Sequence, residues 1–309
     1  MDIFLLIFLH VILPLFFLVG LGALLHRIFH FDMNTLSKLN VYVLLPAVGF
    51  ANIYESNING DVLLDVLAFL LLQNGALIVI STVMAKLLKL DRSLSATFQN
   101  TIVLNNSGNF GIPVSQLVFH QQPLGLSIQI VVTIFQNFLT NTYGVFNFLS
   151  ASEKKKKGKV TAEFLKNPII YALLLGLLFR SLHIPVPSFI WNPLQNVANA
   201  FLAIALLTLG AQVAYINLKQ LPPLLYLSVF SRLLLSPVLA AVIIFALHLE
   251  GVTAQALLIA SSYPCSRNTA LYALEYGHHP DYAAQAVFVS TLLSSVTVTM
   301  IVYLSNILF

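Results

Sequence analysis

Charge is the scarcest property of this chain: only 8% of its 309 residues are Asp, Glu, Lys or Arg, against roughly a quarter in soluble domains. Together with 58% hydrophobic residues and a mean hydropathy of +0.89, this excludes a water-soluble fold. A single cysteine, Cys265, rules out an intrachain disulfide and says nothing firm about compartment. No Ser-His-Asp order, phosphate loop or metal motif is found, so an intramembrane enzyme is not expected and no cofactor is implied. His278 and His279 have no Cys, third His or carboxylate at ligand spacing and are not read as a metal site.

What is abundant is apolar sequence in membrane-sized lengths. A hydrocarbon core of about 30 Å takes roughly 20 helical residues. Ten such stretches occur, at 3–25, 34–54, 61–86, 93–118, 124–149, 167–183, 190–214, 221–247, 253–276 and 281–307. The first begins Met1-Asp2 without a basic n-region, outruns a signal h-region and meets no small-residue cleavage site, so it is expected to stay as a helix.

Twelve of the 15 basic residues fall in loops on one side: Arg27, Lys38, Lys86, Lys89, Arg92, Lys154, Lys155, Lys156, Lys157, Lys159, Lys166 and Lys219. The positive-inside rule then puts both termini outside and the lysine-rich loop in the cytoplasm of a multi-pass plasma-membrane protein. The net charge of +4 thus reflects loop placement and implies no nucleic-acid partner. The run EKKKKGK, Glu153 to Lys159, reads as a solvated linker that enforces topology, with anionic lipid headgroups as the alternative contact.

The basic linker, 150–163, divides the chain into five spans at 1–149 and five at 164–309. An odd number per half sends the second half into the membrane upside down. The expected fold is therefore an all-α polytopic membrane protein of ten transmembrane helices in two inverted five-helix repeats. Ser-x-Asn recurs at 107–109 and 266–268, and Gly49 answers Gly210 at an offset of 161.

Two of the spans, the fourth and ninth, are broken at their midpoints by matched polar clusters. LNNSGN at 104–109 and YPCSRN at 263–268 lie 159 positions apart. Irregular backbone at membrane depth is tolerated only where it lines a protein cavity, and matched interruptions in two halves point to the substrate site of a secondary transporter, where the broken helices cross. The second half-helices would begin near Gly108 and Arg267, and their unsatisfied N–H groups carry roughly half a positive charge that favours an anion. A carboxylate is the natural guest. The candidate substrate-binding residues are Asn105, Asn106, Ser107, Asn109, Pro264, Cys265, Ser266, Arg267 and Asn268. Asn106, Asn109 and Asn268 would be amide donors, and Ser107 and Ser266 hydroxyl partners. The plainer reading is interhelical hydrogen bonding, worth about 0.6 kcal/mol on average; single polar residues suit it, and two matched clusters do not.

Arg267 at mid-span carries a penalty of roughly 2.5 to 3.5 kcal/mol on translocon scales and so requires a partner. That partner is either a substrate carboxylate or a structural one, such as backbone carbonyls or Glu275. Arg232 in the eighth span follows the same logic, and its partner is likewise either substrate or structural. Pro14, Pro46, Pro113 and Pro237 are read as packing kinks, and His10 as an interhelical donor.

At this point NSGNFGIP, 106–113, and PCSRNTALYALEYG, 264–277, resemble the auxin efflux carrier family, which includes plant auxin carriers and bacterial malate and malonate permeases. Asn106, Gly111, Ile112, Pro113, Pro264, Ala273, Glu275 and Tyr276 match its motifs, and RLLLSP, 232–237, is similar to the eighth span of bacterial members. The sequence departs at Asn105, where plant carriers have proline, and at Arg267, where an uncharged residue is usual. It also lacks their long central hydrophilic loop. These departures favour a small, strongly charged carboxylate over auxin. The resemblance implies a homodimer whose scaffold is spans 1, 2, 6 and 7, with a mobile transport domain of spans 3–5 and 8–10 moving as an elevator. Two other readings stand beside it: a sodium-coupled symporter of the bile-acid carrier type, and a transporter-like receptor without flux.

Overall fold

Apolar runs of this length become helices because lipid offers the backbone no hydrogen bonds, so each segment satisfies its own. The computed structural model describes residues 9, 13–55, 60–151, 168–214 and 221–309. His10, Lys219 and the linker from residue 152 onward lie outside them, and so does the side chain of Glu275. In chain order the helices are α1 (Leu13–Phe29), α2 (Met33–Leu39), α3 (Leu45–Glu55), α4 (Gly60–Leu87), α5 (Arg92–Val103), α6 (Ile112–Val118) and α7 (Pro123–Leu139). There follow α8 (Val145–Ala151), α9 (Pro168–Ser181), α10 (Ser188–Val213), α11 (Pro223–Phe230), α12 (Ser236–Ala246), α13 (Gly251–Ser261), α14 (Arg267–Tyr276) and α15 (Pro280–Leu308).

Among the described residues, five continuous helical runs are long and apolar enough to cross a membrane: Val62–Leu87, Pro123–Ala151, Ser188–Ala211, Pro223–Ala246 and Pro280–Leu308. The fourth and ninth expected spans fall short because each is split, into α5 and α6 and into α13 and α14. The second runs from α2 through a π-helical turn, Asn40–Leu44, into α3, and the sixth, α9, runs for 14 residues. The protein is thus an all-α, multi-pass membrane protein.

The span prolines have a specific local cause. Pro46, Pro113 and Pro237 each stand just beyond a π-helical turn, at Asn40–Leu44, Ser107–Gly111 and Ser231–Leu235. Proline donates no N–H and its ring pushes against the carbonyl one turn back; an extra residue in that turn absorbs both effects. The kinks expected at these three prolines are π-bulges.

Burial is inverted relative to a soluble protein. On α4, Leu71 and Leu72 are exposed while the next two residues, Gln73 and Asn74, are buried. Asn74 Nδ2 donates to the Leu70 carbonyl, and its side-chain oxygen accepts from Gln136 Nε2 at 2.9 Å. Amides paired inside and leucines outside are what a lipid solvent selects.

Close approach of backbones organises one group of helices. α1 lies along α10, and α3 packs on α9 and α10. A Cβ on Gly210 would sit 1.9 Å from the Val19 carbonyl oxygen, and one on Gly22 would sit 2.2 Å from that of Leu207. Elsewhere α13 packs on α7, α12 and α15, α14 on α15, and α4 on α5 and α12. The groups meet where α3 touches α7 and where α10 touches α6 and the π turn before it. At the turn into α15, buried His278 stacks on Phe148 at 5.7 Å, with Nδ1 2.8 Å from Ser93 Oγ.

Candidate functional site

The two breaks cross as a short antiparallel pair centred on Asn105 and Cys265. The Asn106 N–H donates to the Pro264 carbonyl, and the Ser266 N–H to the Leu104 carbonyl, each at 2.9 Å. An unpaired backbone group in hydrocarbon costs several kcal/mol, so each break supplies what the other lacks. The Cys265 N–H is met by Ser290 Oγ at 3.0 Å.

Side chains beneath the crossing hold its shape. Gln129 Nε2 and Thr133 Oγ1, on α7, both donate to the Ser107 carbonyl, at 3.0 and 3.1 Å. Tyr263 is fully buried, in hydrogen-bond contact with Ser115 Oγ at 3.0 Å and edge-on to Phe110 at 5.9 Å. Gly111 lies against these groups: a Cβ there would come within 2.5 Å of the Tyr263 ring and 2.6 Å of Gln129 Nε2. This is the physical content of glycine at the start of Gly-Ile-Pro. Gly111→Ala is therefore expected to dislodge Gln129 from Ser107, at a destabilisation of about 1 to 3 kcal/mol, read as a lowered melting temperature of the purified protein.

The structure gathers seven of the nine sequence-derived site residues, Asn105, Asn106, Ser107, Asn109, Ser266, Arg267 and Asn268, around one cavity of about 180 Å³, with Gly108 between them. Pro264 and Cys265 are absent from its lining; their backbone makes the crossing, and Cys265 is buried. Three of the lining residues, Asn105, Ser107 and Ser266, are also engaged with protein groups. Asn105 receives a hydrogen bond from Ser107 Oγ and donates to the Ala260 carbonyl at 3.4 Å. Ser266 caps α14 by accepting from the Asn268 N–H at 3.3 Å.

Sequence reasoning missed Leu45, Gln136, Asn137 and Thr140, which complete the lining. Polar residues at 136, 137 and 140 within an apolar span are a usable signal, since intramembrane polar groups mark pathways. Leu45 offers none; only the approach of α3 to α7 brings it there.

Arg267 supplies the one ionisable side chain in this lining among the described residues. Its Nε and Asn106 Nδ2 are buried donors without hydrogen-bond partners, and Gln136 Oε1 is a buried acceptor without one. α14 begins at Arg267 itself, so the helix's positive end opens on the same space. Cationic and amide donors with no lining carboxylate suit an anion. Among the described residues, no three His, Cys, Asp or Glu side chains are grouped to hold a metal.

A second cavity, of about 360 Å³, is lined by Asn52, Glu55, Gln116, His120, Gln195 and Asn199 with apolar neighbours. Leu45 borders the first cavity and Glu55 the second; ten residues of helix between them span about 15 Å.

Apolar helices, two of them broken and crossed beside a polar cavity, define the class of membrane transporters built on discontinuous helices. Residues 7–302 match the family described as membrane transport protein, and the chain belongs to it; this is the auxin efflux carrier family that its break motifs resemble. The members are transporters rather than enzymes. Among its relatives, a Methanothermobacter thermautotrophicus protein named "Uncharacterized transporter" is 24% identical over 274 residues, 87% of this chain and 88% of its own length. A Rhizobium meliloti protein named "Putative malonate transporter" is 26% identical over 312 residues, 95% of this chain and 94% of its own.

Proposed function

We propose that this transporter carries small dicarboxylates, malonate or malate among them, across the cytoplasmic membrane, and that it binds them at the crossing. The observation that carries the reading is Arg267: a half-buried cation whose buried Nε has no partner, at the N-terminus of α14, in a cavity whose described lining holds no carboxylate. In this reading one carboxylate sits at the start of α14 with Asn106, and Arg267 takes the second. Asn109 and Asn268 orient the anion, Ser107, Ser266 and Asn105 shape the pocket, and Pro264 and Cys265 hold the crossing. The name of the Rhizobium meliloti relative agrees in substrate class.

For mechanism we propose an elevator. The tightly packed α1–α3, α9 and α10 act as a dimeric scaffold, and α4–α8 with α11–α15 move against it. Support comes from the glycine-mediated contact of α1 with α10 and from the two cavities at the seam between the groups. The antiparallel crossing is what oppositely inserted five-span halves require, and the loop charges put both termini outside.

Counterflow of labelled malonate into proteoliposomes tests the reading, with unlabelled malate, lactate, pyruvate, indole-3-acetate and leucine as competitors. Dicarboxylates are expected to compete best and leucine not at all. Replacing sodium with choline is expected to leave uptake unchanged, because carbonyl ends of the kind that bind sodium are here engaged by Arg232. A sodium requirement would shift the assignment to a symporter of the bile-acid carrier type, and malonate binding without flux to a receptor. Competition by leucine and no carboxylate would refute the anion reading.

A further inference from the structure

Broken helices have negative ends as well as positive ones. At the crossing, α5 stops at Val103 and α13 at Ser261, and each leaves C-terminal carbonyls that carry about half a negative charge. In transporters of this architecture such ends are where coupling cations bind. Here they are reached by Arg232, which lies on another helix and is 1% exposed. Its Nη1 donates to the carbonyls of Ile102, at 2.8 Å, and Val103, at 3.4 Å, at the end of α5. Its Nη2 donates to the Ser261 carbonyl at the end of α13 and to Ser236 Oγ. Ser236 Oγ in turn donates to that Ser261 carbonyl at 2.9 Å. Every one of these hydrogen bonds ends on a carbonyl or hydroxyl oxygen, none on a carboxylate.

We infer that Arg232 is a built-in counter-cation for both broken helices, a positioning residue that ties their C-terminal ends together and thereby fixes the antiparallel crossing on which the binding cavity depends. The remaining end groups fit this assignment. Ala260 O accepts from Asn105 Nδ2, Ile259 O from the N–H and Oγ of Ser262, and Leu258 O from Ser261 Oγ, so the final carbonyls of α13 are satisfied, with Ser261 left to Arg232 and Ser236. The π turn Ser231–Leu235 that carries Arg232 is the local distortion that accommodates Pro237. The Arg-x-x-x-Ser-Pro arrangement thus joins three functions: the proline sets the bulge, the bulge carries the arginine, and the serine shares its carbonyl target. A planar fork of donors reaches two helix ends at once, whereas an ammonium is a single point charge.

The inference concerns the same crossing as the proposed function, and its primary test needs no substrate. Hydrogen exchange is followed by mass spectrometry on the full chain in nanodiscs, at the amides of Asn106 and Ser266, the two that close the crossing. In Arg232→Ala both are expected to exchange at least about ten-fold faster, while α10 and α15 exchange as in wild type. Guanidinium at about 50 mM, supplied as the missing group, is expected to slow them back to within about three-fold of wild type, as mass action at a vacated site requires. Tetramethylammonium at equal concentration should do nothing. Unchanged exchange at both amides in Arg232→Ala would overturn the inference, and so would acceleration that guanidinium leaves untouched. Should Arg232→Ala not accumulate as folded protein, Arg232→Lys replaces it: a several-fold acceleration at the same two amides is expected, and none would overturn the assignment. Malonate counterflow is the second readout, lost with Arg232→Ala and restored by guanidinium. A wild-type protein that moves no malonate refutes the substrate reading alone and leaves the exchange result standing.

Discussion

Arg267→Gln is expected to raise the Km for malonate counterflow on the order of 30-fold or more while changing that of a monocarboxylate such as lactate only a few-fold. Truncating one partner of a desolvated charge pair costs roughly 2 to 5 kcal/mol, and each 1.4 kcal/mol is a factor of about ten. The asymmetry follows from geometry. A single carboxylate is held by the start of α14 and the unpartnered Asn106 amide, and only the second carboxylate needs the guanidinium. The substrate-free protein should melt at the same temperature as wild type or higher, since a half-buried cation whose Nε lacks a partner opposes folding and its removal relieves that penalty. A loss equal for mono- and dicarboxylates, in a protein of unchanged stability, would assign Arg267 to architecture instead of recognition.

Gly210→Leu is expected to break the contact between α1 and α10. A Cβ at this position falls 1.9 Å from the Val19 carbonyl oxygen and 2.8 Å from the Ala23 nitrogen, both backbone atoms that no rotamer change can move. The helices must separate, and the loss should reach about 3 kcal/mol, at the upper end of ordinary overpacking. In membranes this loss is severe, because close van der Waals approach through small residues is what drives helices together. A melting temperature lower by roughly 5 to 10 °C is expected from that energy. Gly20→Leu is the control: it lies on α1, and a Cβ there would find nothing within 4 Å, so wild-type melting is expected. Equal behaviour of the two variants would show that backbone approach does not hold α1 to α10.

The breaks were legible because composition made them conspicuous. LNNSGN and YPCSRN stand out as compact, matched polar clusters in spans of membrane length, where each polar residue has a cost. The same contrast revealed Arg267 and Arg232 but left their roles open. Gln136 and Thr140 escaped notice because the polar residues of their span, Gln129, Thr133, Gln136, Asn137 and Thr140 among them, are spread along it and form no compact break. The two arginines then parted company through packing. The Nε of each is without a hydrogen-bond partner, but the Nη groups of Arg232 are taken up by the carbonyl ends of α5 and α13, whereas Arg267 lines a cavity. Their sequence surroundings did not distinguish them, because a partner 130 residues away along the chain leaves no local trace.

The sequence by itself determined that this chain is an all-α membrane protein and where two of its spans break, and it raised the expectation of an anion at the breaks. Each of these follows from local physics: transfer of side chains to lipid, the length of a helix needed to cross it, and the dipole of a helix end. Only the tertiary structure decided that the breaks close each other as an antiparallel pair, that Pro264 and Cys265 build the crossing while Arg267 borders the cavity, and that Gly210 and Gly22 set the distance between α1 and α10. Those outcomes depend on which backbone groups meet across long sequence separations, and that choice is made by shape and hydrogen-bond complementarity between helices, to which hydropathy along a single chain is blind.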